Sequence, residues 1–239
     1  MMRYGKIVMG RFLSRPNRFI AQVEISGRTE TVHVKNTGRC KELLVPGCTV
    51  WLTDSDSPGR KTSADLVAVE KIRDSSTPLL INMDSAAPNA AAAQWIADGG
   101  IFGKGALVRR EVKFGSSRFD IYAEYQGRKA FVEVKGVTLE NGGIASFPDA
   151  PTERGLKHMG ELISAVSQGF EAYALFVIQM KDVHLFRPNY ATHPEFGEML
   201  IKAQKSGVHI LAVDCIVTPD SMTIDKNVPI SLERKNHYE

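Results

Sequence analysis

Three residues in one stretch of the sequence have the types and spacing needed for metal-dependent chemistry on phosphates. They are Asp120, Glu133 and Lys135, within SRFDIYAEYQGRKAFVEVKGV at residues 117–137. Two runs of β-branched and aromatic residues flank the Gln-Gly pair at 126–127. This pattern predicts a β-hairpin with a two-residue loop.

The predicted loop determines which side chains meet. If Tyr125 faces Arg128, counting back along both strands places Asp120 directly opposite Glu133, with Cβ atoms about 5 Å apart. Lys135 shares their face because strand side chains alternate. Two opposed carboxylates in so apolar a run repel each other, and a cation between them would resolve the conflict. We therefore expect Asp120 and Glu133 to bind a divalent metal, Mg²⁺ or Mn²⁺.

The chemistry that needs this set is phosphodiester hydrolysis. Hard oxygen ligands hold Mg²⁺, which activates a water molecule and neutralises charge on the phosphate. Lys135 would orient the water or stabilise the developing charge. The pattern of Asp120 followed by Glu133-x-Lys135 resembles the PD-(D/E)xK nuclease superfamily, which implies two metal ligands and a catalytic lysine. The alternative is an exposed Glu-Lys alternation on an edge strand, which the apolar flanking residues disfavour.

The composition is that of an ordinary soluble protein. The 239 residues are 43% hydrophobic and 24% charged, enough for one large domain or two small ones. No run is long enough to span a bilayer and the first residues lack a signal-peptide core, so we expect no membrane association and a cytoplasmic location. Cys40, Cys48 and Cys215 have no CxxC spacing, which disfavours a zinc site or a disulfide scaffold.

Positive charge is concentrated in the first part of the chain. Up to Ser85 there are 13 Lys and Arg against 9 Asp and Glu, a net charge of +4, whereas the remainder has 17 against 18, a net charge of −1. An excess of this kind could hold a phosphate backbone without reading its sequence.

The first predicted domain covers residues 1–82. Short β-rich runs separated by turn signals predict an all-β, OB-like barrel, a fold that often binds oligonucleotides. Phe12 and Phe19 could stack on bases, although aromatic residues in a small barrel are more often core. Basic residues on strand ends and loops are the better candidates for contacts with nucleic acid, mainly through its phosphate backbone: Arg11, Arg15, Arg18, Lys35, Arg39, Arg60 and Lys61.

The second predicted domain covers residues 83–239. Its patterns predict a helix, three strands, and then helix, strand, helix and strand, an α/β mixed sheet of the PD-(D/E)xK nuclease type with helices on both sides. Thr152 is a suitable N-cap for one helix, on which we place Arg154, Lys157 and His158 away from the apolar stripe. These side chains could hold neighbouring phosphates, and His158 could shuttle a proton. A plain surface helix is the open alternative.

Several longer motifs are spread over nearly the whole chain. They are NTGR at 36–39, LLVPG at 43–47, GRKT at 59–62, SRFD at 117–120, FVEVKGVTL at 131–139 and FPDAPTERGLKH at 147–158. Together they resemble the sugar fermentation stimulation protein A (SfsA) family, which implies an N-terminal OB-like domain and a C-terminal PD-(D/E)xK-like domain. The resemblance also implies a DNA-binding protein of low sequence preference, linked to the regulation of sugar (maltose) metabolism.

One departure from the nuclease pattern concerns the first helix of the second domain. Many PD-(D/E)xK nucleases have an acidic residue there, but residues 84–98 have acids only at their two ends. Glu111 is a possible substitute, or else an exposed partner of Arg109 or Lys113. Three functions stay open: a metal-dependent nuclease, a non-catalytic DNA-binding regulatory factor, and, least favoured, a metabolic or structural role in which the basic barrel only aids solubility. No helix-turn-helix pattern is evident, and the oligomeric state does not follow from the sequence.

Overall fold

The N-terminal part of the chain folds into a closed five-stranded barrel. The computed structural model describes residues 2–36, 38–54, 62, 64–73 and 77–234. Strands β2 to β6 run antiparallel in the order β4-β3-β2-β5-β6, and a parallel pairing of His33 with Asp65 and Val34 with Leu66 closes the barrel. The first seven strands are β1 (Met2–Arg3), β2 (Ile7–Asn17), β3 (Ile20–Ile25), β4 (Arg28–Val34), β5 (Thr49–Asp54), β6 (Ala64–Lys71) and β7 (Leu79–Asn82).

Alternating apolar residues explain why these strands close. In β3, Ala21 and Val23 are fully buried while their neighbours are only partly covered. Phe12 is buried in the same core, as expected for an aromatic residue in a small barrel. The structure thus confirms the predicted OB-like fold.

The second domain is built on a mixed seven-stranded sheet. The strand order is β1-β16-β15-β13-β10-β9-β8, in which β10–β13 and β13–β15 are parallel and the other pairs antiparallel. A smaller sheet has the order β11-β12-β14. The strands are β8 (Leu107–Phe114), β9 (Ser117–Tyr125), β10 (Arg128–Val137), β11 (Leu139–Asn141), β12 (Ile144–Phe147), β13 (Glu171–Ile178), β14 (Leu185–Pro188), β15 (His209–Thr218) and β16 (Ser221–Asn227).

Helices cover both faces of the large sheet. Helix α1 (Ala87–Ala97) packs on one face, while α2 (Glu153–Ser167) and α3 (Pro194–Lys205) pack on the other. The predicted order of helices and strands and the mixed sheet are therefore confirmed. Sequence patterns missed β11, β12, β14 and β16, most of which are too short for alternation to show. Among the described residues, no helix has the length and apolar character needed to cross a membrane.

Polar contacts join the two domains. Lys71 of β6 forms an ion pair of 2.6 Å with Glu140 of β11, and Lys35 forms one of 2.8 Å with Asp84. The side-chain amide of Gln179 donates to the side-chain oxygen of Asn82 at 2.9 Å. In addition, β1 pairs with β16, so the start of the chain completes the sheet of the second domain. These contacts fix the barrel against the α/β domain.

Candidate active site

The central hairpin has the register that the sequence predicted. Tyr125 pairs with Arg128 across a loop in which Gln126 and Gly127 have φ values of 49° and 81°. Positive φ at both loop residues is typical of the type I′ turn, whose twist matches that of the flanking strands. The ladder continues to Ile121 opposite Val132. The next residues on the two strands are the two candidate metal ligands.

Glu133 lies at the centre of the site. Its residue is only 2% exposed, and its Oε1 accepts hydrogen bonds from Lys135 Nζ at 2.7 Å and from His158 Nδ1. Its second oxygen, Oε2, is buried without a hydrogen-bond partner among the described residues. A buried carboxylate oxygen left unpaired is costly, so it marks a position where a further ligand or cation would be stabilised.

His158 connects this carboxylate to the start of α2. Arg154 Nε donates to His158 Nε2 at 3.3 Å, so Nε2 is the acceptor and Nδ1 carries the proton donated to Glu133. The helix begins as predicted, since Thr152 Oγ1 accepts from the amide of Gly155 at 3.0 Å. The expectation that His158 faces away from the apolar side was wrong. The residue is buried because it pairs with a buried carboxylate.

Asp120 is held from two sides. Its Oδ2 accepts the backbone amide of Val134 at 2.8 Å, and its Oδ1 accepts the side-chain amide of Asn89 at 2.8 Å. Asn89 belongs to α1, the helix on which a further acidic residue would be typical. Sequence reasoning missed Asn89 because it searched that helix for acids, whereas the structure provides a neutral amide that orients Asp120.

The two carboxylates have opposite pKa shifts. Burial and then the nearby charge of Glu133 raise the pKa of Asp120, and the donors Val134, Lys135 and Asn89 do not offset this. Burial also raises the pKa of Glu133, but hydrogen bonds and charges from His158 and Lys135 outweigh it and hold the pKa below its ordinary value. Two carboxyl groups whose environments separate their pKa values are typical of functional sites.

The donor set fits a hard divalent cation. No cluster of three or more His, Cys, Asp or Glu with metal-binding geometry occurs in the part of the chain that the structure describes. The site instead offers two carboxylates, one with a buried oxygen that no described residue hydrogen-bonds. Mg²⁺ is usually bound by one or two carboxylates and retains several waters, so a pair is sufficient. Asp120 and Glu133 are the residues that could hold it.

A cleft of about 790 Å³ lies between the two domains, close to this site. Its walls come from the barrel and from two segments of the α/β domain. Residues 136–139 directly follow Lys135 along the chain, and residues 146–152 directly precede α2. At about 3.3 Å per strand residue, Thr138 is roughly 10 Å along the strand from Lys135. The basic residues that line the cleft are Arg15, Arg18, Arg39 and Lys41.

The basic residues that were predicted to contact nucleic acid differ in whether their side chains already have partners within the protein. Arg15 donates to the backbone carbonyls of Arg39, Arg18 and Asn36 at 2.6 to 2.7 Å, so it holds the loop rather than facing outward. Arg18 and Arg39 are exposed in the cleft wall. Lys35 is paired with Asp84, as given above. Arg60 and Lys61, with most of the GRKT loop, lie outside the described residues.

Three other candidates lie outside this cleft. Arg11 pairs with Glu24 at 3.0 Å on the barrel surface. Glu111 is exposed and lies 3.8 Å from Arg118. Among the described residues, the structure records no contact of Glu111 with Asp120 or Glu133. Lys157 is 3.9 Å from Glu161. The structure therefore brings together Asp120, Glu133, Lys135, Arg154 and His158, but not these three.

The fold and site define a two-domain protein with an OB barrel and an α/β domain whose sheet carries a buried carboxylate, Glu133, and a half-buried one, Asp120. Family models match both parts: "SfsA N-terminal OB domain" at residues 13–75 and "Sugar fermentation stimulation protein RE domain" at residues 86–221. The chain belongs to the SfsA family, as its motifs indicated.

Relatives of known sequence and structure resemble the chain over nearly its whole length. The "Sugar fermentation stimulation protein homolog" of Desulfitobacterium hafniense (strain DSM 10664 / DCB-2) is 54% identical, covering 97% of this chain and 99% of its own. That of Clostridium beijerinckii is 51% identical, covering 97% and 100%. A solved structure, "The structure of Pyrococcus Furiosus SfsA in complex with Ca2+", is 27% identical with a TM-score of 0.82, covering 96% and 98%.

Proposed function

We propose that this protein is a DNA-binding phosphodiesterase of low sequence preference that uses a divalent metal held by Asp120 and Glu133. The observation that carries the proposal is the buried Oε2 of Glu133, which has no hydrogen-bond partner in the described part of the chain and lies beside Lys135 and near a second carboxylate. A protein that only bound a phosphate backbone would gain nothing from two acids near it, since like charges repel. A nuclease needs them as metal ligands.

Each residue of the site has a task that follows from its contacts. The metal, when bound, would lower the pKa of a water molecule and neutralise charge on the phosphate. Asp120 and Glu133 would supply the oxygen ligands, and Asn89 together with the amide of Val134 fixes the orientation of Asp120. Lys135 keeps an ammonium group 2.7 Å from Glu133, where it can orient the water.

The contact between His158 and Glu133 supports the same proposal. By donating from Nδ1, His158 fixes the direction of the carboxylate, and Arg154 in turn fixes the tautomer of the imidazole. An orienting partner of this kind is typical of metal sites, where outer contacts hold the ligands in place. The Ca²⁺ bound by the Pyrococcus relative agrees with a divalent metal as the partner of these oxygens.

The cleft supports DNA as the substrate. Its exposed Arg18, Arg39 and Lys41 supply charge to the phosphate backbone, and the walls include the residues next to Lys135 and the beginning of α2. A strand lying in the cleft would therefore pass close to the carboxylates. Backbone contacts of this type carry no sequence information, which agrees with low sequence preference.

A non-catalytic DNA-binding regulator is the second candidate. One observation favours it: Lys135 and His158 already donate to Glu133, so the carboxylate is partly neutralised by the protein itself. The sugar-related names of the relatives are compatible with a regulatory role in sugar (maltose) metabolism. On this proposal the cleft binds DNA and the carboxylates are structural.

The test is cleavage of supercoiled plasmid and of single-stranded DNA by the purified protein with Mg²⁺, with Mn²⁺ and with a chelator. We expect metal-dependent cutting by the wild type, and loss of cutting in a variant that combines Glu133→Gln with Lys135→Ala. Asp182→Asn is a matched control, because Asp182 is an exposed carboxylate paired with Arg73 and distant in sequence from the site.

The outcomes separate the two candidates. Cutting by the wild type and by Asp182→Asn, but not by the double variant, would establish the nuclease. Salt-sensitive DNA binding without cutting in any metal would establish the regulator. Cutting that persists in the double variant would mean that the activity does not come from Glu133 and Lys135.

A further inference from the structure

One aromatic side chain in the barrel is exposed. The chain has eleven phenylalanines, all within its described part, and Phe19 alone is exposed, at 51%. It lies in the short turn between β2 and β3. Single exposed apolar residues are normal on protein surfaces, so exposure alone carries no meaning. The surroundings of Phe19 are what distinguish it.

The backbone of this turn is fixed on both sides of Phe19. Asn17 Oδ1 accepts the amides of Phe19 at 2.9 Å and of Ile20 at 3.1 Å, and the amide of Val34 donates to the carbonyl of Phe19 at 2.8 Å. In addition, Arg15 donates to the carbonyl of Arg18. The backbone that carries the Phe19 side chain is therefore fixed by hydrogen bonds on both sides of the turn.

One cation lies beside the ring, and others line the neighbouring cleft. The guanidinium carbon of Arg18 lies 5.9 Å from its centroid, within reach of a cation–π contact. Asn17 and Arg18, from the same turn, also line the interdomain cleft together with Arg39 and Lys41. An exposed aromatic face beside cations along a groove is the combination with which proteins bind single-stranded nucleic acid, by stacking on bases and attracting phosphates.

We propose that Phe19 stacks on an unpaired base of a DNA strand whose backbone follows the cleft, so that the protein binds single-stranded DNA in preference to duplex DNA. Bases inside a duplex are already stacked on both faces and cannot reach the ring without being unstacked. This inference rests on the DNA-binding part of the proposed function. It adds the form of the substrate and a residue that selects it.

The test is fluorescence anisotropy with a labelled oligothymidylate and a labelled duplex of mixed sequence. The protein carries Glu133→Gln throughout, so that no substrate is cut during the measurement. On this background we compare Phe19→Ala, Phe19→Tyr and Met9→Ala. Met9 is 60% exposed on the same barrel. Neither of its chain neighbours lines the cleft, whereas Arg18 beside Phe19 does, so Met9 is a matched control for the loss of an exposed apolar side chain.

We expect Phe19→Ala to weaken binding of the single strand by about 5-fold to 100-fold, the range typical of one lost stacking contact. Binding of duplex should change by less than about 2-fold, and Phe19→Tyr and Met9→Ala should bind both ligands as the parent does. The salt dependence should be unchanged in Phe19→Ala, because no cation is removed. Arg39→Ala should reduce the slope of log affinity against log salt concentration by about 1, as expected for the loss of one phosphate contact.

Two outcomes would overturn the inference without touching the nuclease proposal. One is unchanged binding of the single strand by Phe19→Ala, and the other is an equal loss for single strand and duplex. If the parent bound neither form of DNA, the proposed function itself would fail and this inference with it. A matching oligouridylate in the same series shows whether the unpaired strand can also be RNA, and a loss in Phe19→Ala for both strands would support stacking.

Discussion

The ion pair between Lys71 and Glu140 gives a quantitative test of how the barrel is fixed to the α/β domain. The side chain of Glu140 is 2% exposed and that of Lys71 18%, and their charged atoms are 2.6 Å apart. Glu140 also accepts the amide of Gly143 at 2.6 Å. Burial raises the pKa of Glu140, but the hydrogen bonds and charge of Lys71 and Gly143 outweigh it and leave the pKa below its ordinary value of 4.5.

Replacing Lys71 by Met keeps most of the aliphatic stem but leaves a buried carboxylate without its cation. Removing one partner of a buried pair costs about 3–5 kcal/mol. The carboxyl group can escape part of this by taking a proton, which at about pH 7 costs roughly 3.4 kcal/mol, because each pKa unit is 1.36 kcal/mol. We therefore expect Lys71→Met to reduce the free energy of unfolding by about 3 kcal/mol at about pH 7.

The stability loss in Lys71→Met should depend on pH. A lowered pKa means that Glu140 contributes stability above its unfolded pKa near 4.5, and that this is lost as the pH falls through the folded value. At about pH 5.5 protonation costs only roughly 1.4 kcal/mol, so the difference between wild type and Lys71→Met should shrink. A double variant, Lys71→Met with Glu140→Gln, should recover much of the loss, because no charge is left buried.

The assay is urea unfolding followed by circular dichroism, at the two pH values, for the wild type, both single variants and the double variant. Arg128→Met, which breaks an exposed pair with Glu171, is the control and should cost less than about 1 kcal/mol. A loss for Lys71→Met that is equal at both pH values, or smaller than that of the control, would refute the reasoning.

Three further predictions follow from the site and the cleft. Ca²⁺ at about 100 times its dissociation constant should stabilise the wild type by about 2.7 kcal/mol in thermal unfolding and should not stabilise Glu133→Gln; equal stabilisation of both would contradict binding at Glu133. Gly38→Ala should weaken DNA binding in anisotropy titrations without loss of fold, since its Cβ would lie 2.7 Å from Asp149 Oδ2 beside the cleft; unchanged affinity would show that this loop does not shape the binding surface. Thr152→Ala should cost about 1 kcal/mol of stability by removing the cap of α2, whereas Thr152→Ser should cost little, and equal losses would exclude a capping role.

The sequence was sufficient to predict the hairpin and its register as far as Ile121 opposite Val132. A two-residue loop allows one register, so the positions opposite each other follow by counting from Tyr125 and Arg128. The barrel and the mixed sheet were also predictable, because alternation and helical periodicity are local properties of the chain. The family resemblance, carried by motifs such as FPDAPTERGLKH, is confirmed over nearly the full length.

What the sequence did not indicate depends on contacts between distant residues. The contact of Asn89 with Asp120 spans 31 residues, and the burial of His158 follows from a partner 25 residues away. Composition shows which residues are basic, but it does not show which of their side chains are bound by other groups of the protein. It could not show that Arg15 is used by three backbone carbonyls while Arg39 is exposed in the cleft. The proposed roles of the basic residues therefore stay predictions that binding measurements must test.

The most direct measurement of the central claim is DNA binding and DNA cutting by Glu133→Gln side by side with the wild type. The substitution removes a negative charge from the buried, proposed metal ligand but leaves the exposed cations of the cleft unchanged. We predict that Glu133→Gln binds DNA as tightly as the wild type or more tightly, while metal-dependent cutting is abolished. Cutting at the wild-type rate by Glu133→Gln, or loss of binding together with loss of cutting, would contradict a metal-dependent site built on Glu133.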